Sequence, residues 1–236
     1  LTDKLNEILR QLPSLQQLVL VPYANLDART TDCQSVAAVT LWQDFYQPGG
    51  APQFTPVPFD QPLYILYSSG TTGVPKCIVH GVGGTLLQHV KEHGLHTDLG
   101  ATDTLFYYTT CGWMMWNWLV SGLAQGATLV LYDGSPFHPE PTRMIDLIDA
   151  EDISVFGTSA KFIAALEKAG VKPHESHKLN SLKAILSTGS PLAHESFEYI
   201  YRDVKRDLCL SSISGGTDIV SCFALGNPVS PVYRGE

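Results

Sequence analysis

The fold is decided by the stretch Tyr67-Ser68-Ser69-Gly70-Thr71-Thr72-Gly73-Val74-Pro75-Lys76. Apolar residues lead into it at 63–66 and out of it at 77–79. Glycines and hydroxyl residues make a poor helix and a poor strand, so we predict a loop that joins two strands. Glycines let backbone N–H groups converge on an anion, and the hydroxyls and the lysine add donors. The composition therefore predicts a phosphate-binding loop, with a plain Ser/Gly surface turn as the structural alternative.

Two common nucleotide-binding motifs do not match this region. A Walker A loop needs four residues between its glycines and a Ser or Thr after its lysine. Here two residues separate Gly70 from Gly73, and Cys77 follows the lysine. A P-loop kinase or ATPase is therefore disfavoured. A Rossmann oxidoreductase is disfavoured further, because Leu86 stands where the third glycine of its motif would fall.

Composition narrows the class of protein. The 236 residues are 44% hydrophobic and 16% charged, which is typical of a globular domain with a large core. The net charge of −8 disfavours non-specific binding of nucleic acid. Five cysteines without a C-x-x-C pair predict free, buried thiols in a cytosolic protein. Residues 104–132 carry no charge and are numerous enough to cross a membrane. Their glycines and the changing spacing of their apolar residues predict buried strands and a helix instead of a membrane span.

Strand and helix alternate from about residue 83 to residue 213, which predicts a largely parallel α/β sheet with helices on its faces. Ligands of such sheets bind beyond the carboxyl ends of the strands. The segments 187–192 and 214–218 each follow a predicted strand at this edge. We expect the phosphate loop to lie close to both segments. The predicted strands are 18–21, 105–108, 127–132, 153–156, 182–186 and 208–213. The predicted helices are 5–12, 41–46, 83–96, 112–124, 141–150, 159–170 and 192–204, and a Pro-rich connector spans 48–62.

Three histidines share one face of the predicted helix 83–96. His89, His93 and His96 follow the i, i+4, i+7 spacing that can bind a metal. No further ligand is evident nearby, so we interpret them as histidines on the polar face of the helix.

The loop at 68–76 resembles the phosphate-binding signature of the acyl-adenylate-forming superfamily, which includes acyl-CoA synthetases, luciferases and peptide-synthetase adenylation domains. The wider sequence resembles the acetoacetyl-CoA synthetases within it. The resemblance covers essentially the whole chain and implies part of the large N-terminal AMP-binding domain. Residues 1–62 would form an opening segment and connector. The small C-terminal lid and its catalytic lysine would lie beyond Glu236, so we expect a piece of a longer polypeptide that is inactive alone and has no catalytic residue of its own.

The resemblance implies that a carboxylic acid attacks the α-phosphorus of ATP, and that the thiol of CoA then displaces AMP from the acyl-adenylate. It implies the following sites. The phosphates contact Ser68, Ser69, Gly70, Thr71, Thr72, Gly73, Lys76 and Thr217, and Mg²⁺ binds Asp218, where the family has Glu. Adenine lies against Gly189, Ser190 and Pro191, although the family often has Glu at 190. Trp113, Met114, Met115, Thr188 and Gly215 line the acyl pocket.

Each of these motifs also has a structural reading. The segment 188–191 could be an ordinary strand-to-helix turn, 216–218 a simple turn, and the three tryptophans at 113, 116 and 118 core packing. By resemblance, acetyl-CoA synthetases carry a Trp where Gly215 stands, so glycine favours acetoacetate over acetate. We therefore predict that Gly215→Trp shifts the preference toward acetate. Another short-chain acyl-CoA synthetase and a truncated, inactive nucleotide-binding form remain the alternatives.

Overall fold

The structure, a computed structural model, describes residues 2–23, 29–33, 38–68 and 73–235. The chain divides into two compact units, Leu1–Pro56 and Val57–Glu236, with the division inside the predicted connector. The first unit contains helix α1 (Thr2–Arg10), strand β1 (Leu18–Leu20), a 3₁₀ turn (Thr30–Asp32), strand β2 (Val39–Leu41) and helix α2 (Trp42–Phe45). Strands β1 and β2 pair in parallel. The sequence predicted α1, β1 and α2 but not β2, whose three residues carry no readable periodicity.

A β-hairpin opens the second unit. Strand β3 (Pro62–Ser68) pairs antiparallel with strand β4 (Lys76–Gly81), with Ser68 opposite Lys76. The prediction that the loop joins two strands is confirmed. Ser69, Gly70, Thr71 and Thr72 lie outside the described residues.

A five-stranded sheet forms the centre of the second unit. Its strands are β5 (Thr104–Tyr107), β6 (Thr128–Val130), β7 (Val155–Ser159), β8 (Ala184–Thr188) and β9 (Cys209–Ser212), and their order is β6-β5-β7-β8-β9. Every neighbouring pair is parallel. Strands β7 and β8 are almost entirely buried, as expected for a parallel sheet covered on both faces. The predicted fold class is confirmed.

Helices cover both faces of this sheet. They are α3 (Val82–Lys91) with a π-helical turn (Glu92–His96), α4 (Met114–Ser121) with a 3₁₀ turn (Gly122–Gln125), α5 (Arg143–Ala150), α6 (Ala160–Lys168), α7 (Pro173–Ser176), and α8 (His194–Tyr199) with a π-helical turn (Ile200–Val204). Strand residues alternate between two apolar clusters: Phe106 and Phe156 belong to the cluster with α5, α6 and α8, while Leu105 and Val155 belong to the one with α4. This alternation follows from the two-residue period of a strand.

The uncharged stretch 104–132 folds as β5, α4 and β6, as predicted. In the part of the chain that the structure describes, no helix combines the length and apolar character needed to cross a membrane.

A second hairpin follows β9. It consists of β10 (Ser214–Gly216) and β11 (Ser221–Ala224), which pair antiparallel. The sequence predicted only a turn at 214–218, because Gly-Gly disfavours a strand. Here the pairing comes from β11, which the sequence pattern did not reveal.

Two expectations about burial were wrong. His89 and His93 have no exposed surface, so the polar face of α3 points into the protein. Its histidines bond backbone carbonyls: His89 Nε2 donates to Val220 O, His93 Nε2 lies 2.9 Å from Trp118 O, and His96 Nδ1 lies 3.0 Å from the carbonyl of residue 226. Cys77, Cys111, Cys209 and Cys222 are free, as predicted, but Cys77 and Cys111 are exposed.

Candidate active site

A pocket of about 440 Å³ lies at the carboxyl ends of β8 and β9. Its size falls within the range of small-ligand sites in proteins. Three segments form its walls: the start of α4, the turn after β8, and the hairpin of β10 and β11. The lining residues are Trp113, Met114, Met115, Thr188, Gly189, Ser190, Pro191, Ser212, Ile213, Ser214, Gly215, Gly216, Thr217, Ser221 and Cys222.

The α4 wall is apolar and firmly packed. Met114 and Met115 are buried, and Trp113 packs edge-on against Tyr107 with ring centroids 6.0 Å apart. Tyr107 packs in the same way against Trp118 of α4, at 5.9 Å. Aromatic pairs in this geometry add attraction beyond the area they bury, so the tryptophan wall is held in place by the core.

The turn after β8 is tied to the end of β9. Thr188 Oγ1 donates to Ile213 O at 3.0 Å, and Ile213 N donates to Ser187 O at 2.7 Å. Gly189 then adopts a φ of +88°, which glycine tolerates at low cost. The chain therefore turns sharply and presents Ser190 and Pro191 at the rim of the pocket.

The hairpin wall depends on the glycine at 215. A Cβ atom built there would lie 2.2 Å from Ser221 O and 2.9 Å from Cys222 Cα. The missing side chain thus allows close approach of β11. Gly215→Trp stays a prediction, and a side chain at this position would also push β11 away.

The strand that leaves the phosphate loop is attached to the same wall. His80 of β4 donates from Nε2 to Thr217 O at 2.8 Å. Ser68, Gly73 and Lys76 are not among the residues that line this pocket. The structure therefore brings together the predicted acyl-pocket and adenine-side residues with Thr217, and it attaches the far end of β4 to them.

Asp218 is the predicted magnesium ligand, and its carboxylate is exposed beside Thr217. Among the described residues, no group of three or more His, Cys, Asp or Glu side chains could hold a metal ion. Mg²⁺ commonly uses one or two protein carboxylates together with substrate phosphates and water. Asp218 does not line the pocket, but it directly follows Thr217, which does. A single exposed carboxylate there fits a magnesium ion that arrives with a nucleotide.

Sequence reasoning missed a buried polar cluster behind the pocket, made of Glu92, His89 and His93, with the half-buried Ser121 beside them. Burial lowers the pKa of His93 to about 4, against a smaller opposing effect of its hydrogen bond to Trp118 O. Burial also lowers the pKa of His89. No signal in the sequence indicated this burial: residues 85, 89, 92 and 96 form a polar stripe, which by itself favours the solvent side, whereas in the structure Leu86 and Leu87 of the same helix are exposed.

One pocket residue could be mistaken for a nucleophile. Burial raises the pKa of the Cys222 thiol to about 12, and the nearby Glu92 carboxylate adds to the shift. The thiolate is the reactive form of cysteine, so this thiol is inert at neutral pH. The pocket is suited to binding and positioning.

Known proteins resemble this chain closely. The model of the family described as "AMP-binding enzyme" matches residues 2–225. The acetoacetyl-coenzyme A synthetase of Rhizobium meliloti (strain 1021) is 58% identical over 92% of this chain and 34% of its own length. The acetoacetyl-CoA synthetase of Gallus gallus is 51% identical over 99% of this chain and 36% of its own. The solved structure of acetoacetyl-CoA synthetase from Streptomyces lividans matches 99% of this chain and 35% of its own, with 41% identity and a TM-score of 0.89. The chain thus spans about a third of the length of these relatives.

Proposed function

Because this chain belongs to the AMP-binding enzyme family, we propose that it forms part of an ATP-dependent acid–thiol ligase that activates acetoacetate. The acid would be converted to an acyl-adenylate and then to the CoA thioester. The observation that carries this proposal is the pocket itself, in which Trp113, Met114 and Met115 face the turn 188–191 and the hairpin with Thr217. Two strand ends and an apolar wall can hold an adenylate and a short acyl chain side by side.

Catalysis in such a site depends on positioning and charge neutralisation. A carboxylate oxygen of the acid attacks the α-phosphorus of ATP and pyrophosphate leaves, so the two reactants must be held in line. We assign the acyl chain to the α4 wall, adenine to Gly189–Pro191, and the phosphates to Thr217 and the loop 68–76. Mg²⁺ at Asp218 would neutralise phosphate charge. The contact of His80 with Thr217 O would hold this threonine in register with the phosphate loop.

Acetoacetate is the preferred acid because the similar proteins carry that name and because the pocket combines the apolar α4 wall with several hydroxyl side chains. Another short-chain acid is the alternative. The second alternative is a nucleotide-binding form without turnover, since the chain spans about a third of its relatives. The lysine that closes over the adenylate in this superfamily is proposed to lie in the remaining part. The free cysteines at 77, 111, 209 and 222 support the cytosol as the compartment.

The proposal is tested by ATP–pyrophosphate exchange with acetate, acetoacetate and longer acids. The assay is run on this chain and on the longer polypeptide that carries it. We expect exchange in the longer form, fastest with acetoacetate, and little or none in this chain alone. Formation of ADP would contradict adenylation, and a faster rate with another acid would replace acetoacetate while keeping the reaction class.

A further inference from the structure

A carboxylate without exposed surface lies behind the pocket. Glu92, in the π-helical turn after α3, accepts four hydrogen bonds. Its Oε2 accepts from Trp118 Nε1 at 2.9 Å. Its Oε1 accepts from Cys222 N at 3.0 Å, from Gln88 Nε2 at 3.1 Å and from the hydroxyl of Ser221. Three of these bonds end on Oε1 and one on Oε2, so both oxygens act as acceptors.

Three of these donors belong to two walls of the pocket, and the fourth, Gln88, is on α3. Trp118 is on α4, one turn after Met114 and Met115. Ser221 and Cys222 are on β11 and line the pocket themselves. One carboxylate therefore connects the apolar wall to the hairpin wall.

A histidine makes the same connection one helical turn earlier. His89 Nε2 donates to Val220 O at 2.6 Å, which is the residue just before β11. His89 Nδ1 lies 2.9 Å from the hydroxyl of Ser121 at the end of α4. Because the carbonyl can only accept, Nε2 carries the proton. The Ser121 hydroxyl also lies 2.7 Å from Trp118 O, so His89 Nδ1 shares the single proton of this hydroxyl with that carbonyl.

We propose that Glu92, assisted by His89, is a positioning residue that sets the separation of α4 and β11 and thereby the acids that the pocket accepts. Glu92 does not line the pocket, so it acts through Trp118, Ser221 and Cys222. The inference rests on the proposed function, because it concerns the acid specificity of that same site.

The chemistry of the bridge calls for a carboxylate. The indole N–H of Trp118 and the backbone N–H of Cys222 can only donate, so the group between them must accept at both ends. A glutamine offers one acceptor, and its NH₂ group would face a donor. A buried charge is also a costly way to stabilise a core, because desolvation offsets much of its attraction. An apolar side chain could not fix the distance between the two walls by hydrogen bonds, whereas the charged carboxylate can.

The test is Glu92→Gln in the longer polypeptide that carries this chain, measured by ATP–pyrophosphate exchange. We expect the KM for acetoacetate to rise about tenfold, with the KM for ATP changed less than about twofold, since one charge-assisted bond is lost on the acid side only. The preference for acetoacetate over butyrate should shrink in parallel.

Asp103→Asn is the matched control. This carboxylate is also largely buried, but it accepts from the backbone N–H of residue 100 and from Lys183 Nζ, both at 2.8 Å, just before β5 at the other end of the sheet. Its loss should lower the melting temperature without changing the KM or the preference for the acid. If Glu92→Gln also lowers only the melting temperature, Glu92 is merely structural and the inference is overturned.

A second pair of variants tests whether Glu92 acts through its hydrogen bond to the indole of Trp118. Trp118→Phe removes the donor to Oε2, so its effect on the KM for the acid should not add to that of Glu92→Gln. Additive effects would contradict the proposal that Glu92 acts through Trp118.

If the unmodified protein exchanges with no acid at all, the proposed function fails. The positioning role of Glu92 is then tested by the near-ultraviolet circular dichroism of the tryptophans. It should change in Glu92→Gln and stay unchanged in Asp103→Asn, and equal spectra would overturn the inference.

Discussion

The substitution Gly215→Ala tests whether the hairpin wall depends on close backbone approach. The added Cβ atom would lie 2.2 Å from Ser221 O, where ordinary contact begins at 3.4 Å, so β10 and β11 must separate by about 1.2 Å. The same shift would pull Cys222 N away from Glu92, whose hydrogen bond to it is 3.0 Å long. Overpacking of this kind costs about 1–3 kcal/mol of unfolding free energy.

The assay is urea unfolding of the chain, followed by circular dichroism. Gly84→Ala is the matched control, because a Cβ atom there would have no neighbour within 4 Å and the residue lies inside α3. That variant should be neutral or more stable by up to about 1 kcal/mol. If Gly215→Ala is as stable as the unmodified chain to within about 0.5 kcal/mol, the reasoning about the hairpin is refuted.

Three further predictions concern pH, a helix cap and magnesium. The pKa of His93 is lower in the folded chain than in the unfolded chain, so the unfolded chain binds the proton at a higher pH. The unfolding free energy should therefore fall by about 3 kcal/mol as the pH falls from about 6.5 to about 4. His93→Phe should flatten that part of the pH–stability curve, and an unchanged slope would contradict the assignment. Ser159→Ala removes the hydroxyl that caps α6 and should lower the unfolding free energy by about 1 kcal/mol in urea, without changing pyrophosphate exchange. Asp218→Asn should raise the Mg²⁺ concentration for half-maximal exchange about tenfold, and excess Mg²⁺ should restore the rate; no change would exclude Asp218 as a ligand.

The central sheet could be predicted from sequence because its signals are local. Strands β7 and β8 are short apolar runs bounded by turns, and Ser159 and Gly170 mark the ends of α6 as predicted. The motifs at 113–115, 188–191 and 215–217, taken from the resemblance, predicted residues that line one pocket, whereas the described residues of the loop 68–76 do not line it. Local patterns of this kind depend on the residue and its near neighbours only.

What could not be predicted depends on partners far along the chain. The polar face of α3 indicated exposure, yet His89 and Glu92 find their partners at Val220, Ser221 and Cys222, about 130 residues later. Sequence periodicity carries no information about such contacts. The same holds for the short strands β2 and β10, which exist only because another strand pairs with them.

The role of Gly215 shows the limit of resemblance. The expectation treated it as empty space in the acyl pocket, whereas the structure places the direction of its missing side chain against the backbone of β11. The resemblance predicted that Gly215 lies at the pocket, but it gave no information about the direction of a side chain there. That direction is set by the pairing of β10 with Ser221 and Cys222 of β11.

The central claim is that the acid is activated as an adenylate in this pocket. The most direct measurement uses acetoacetate labelled with ¹⁸O in its carboxylate, together with ATP and CoA, on the longer polypeptide that carries this chain. Attack of the carboxylate on the α-phosphorus leaves one labelled oxygen on AMP when the CoA thiol displaces it. We predict ¹⁸O in AMP and none in inorganic phosphate. Label in inorganic phosphate, with ADP as the nucleotide product, would contradict the account.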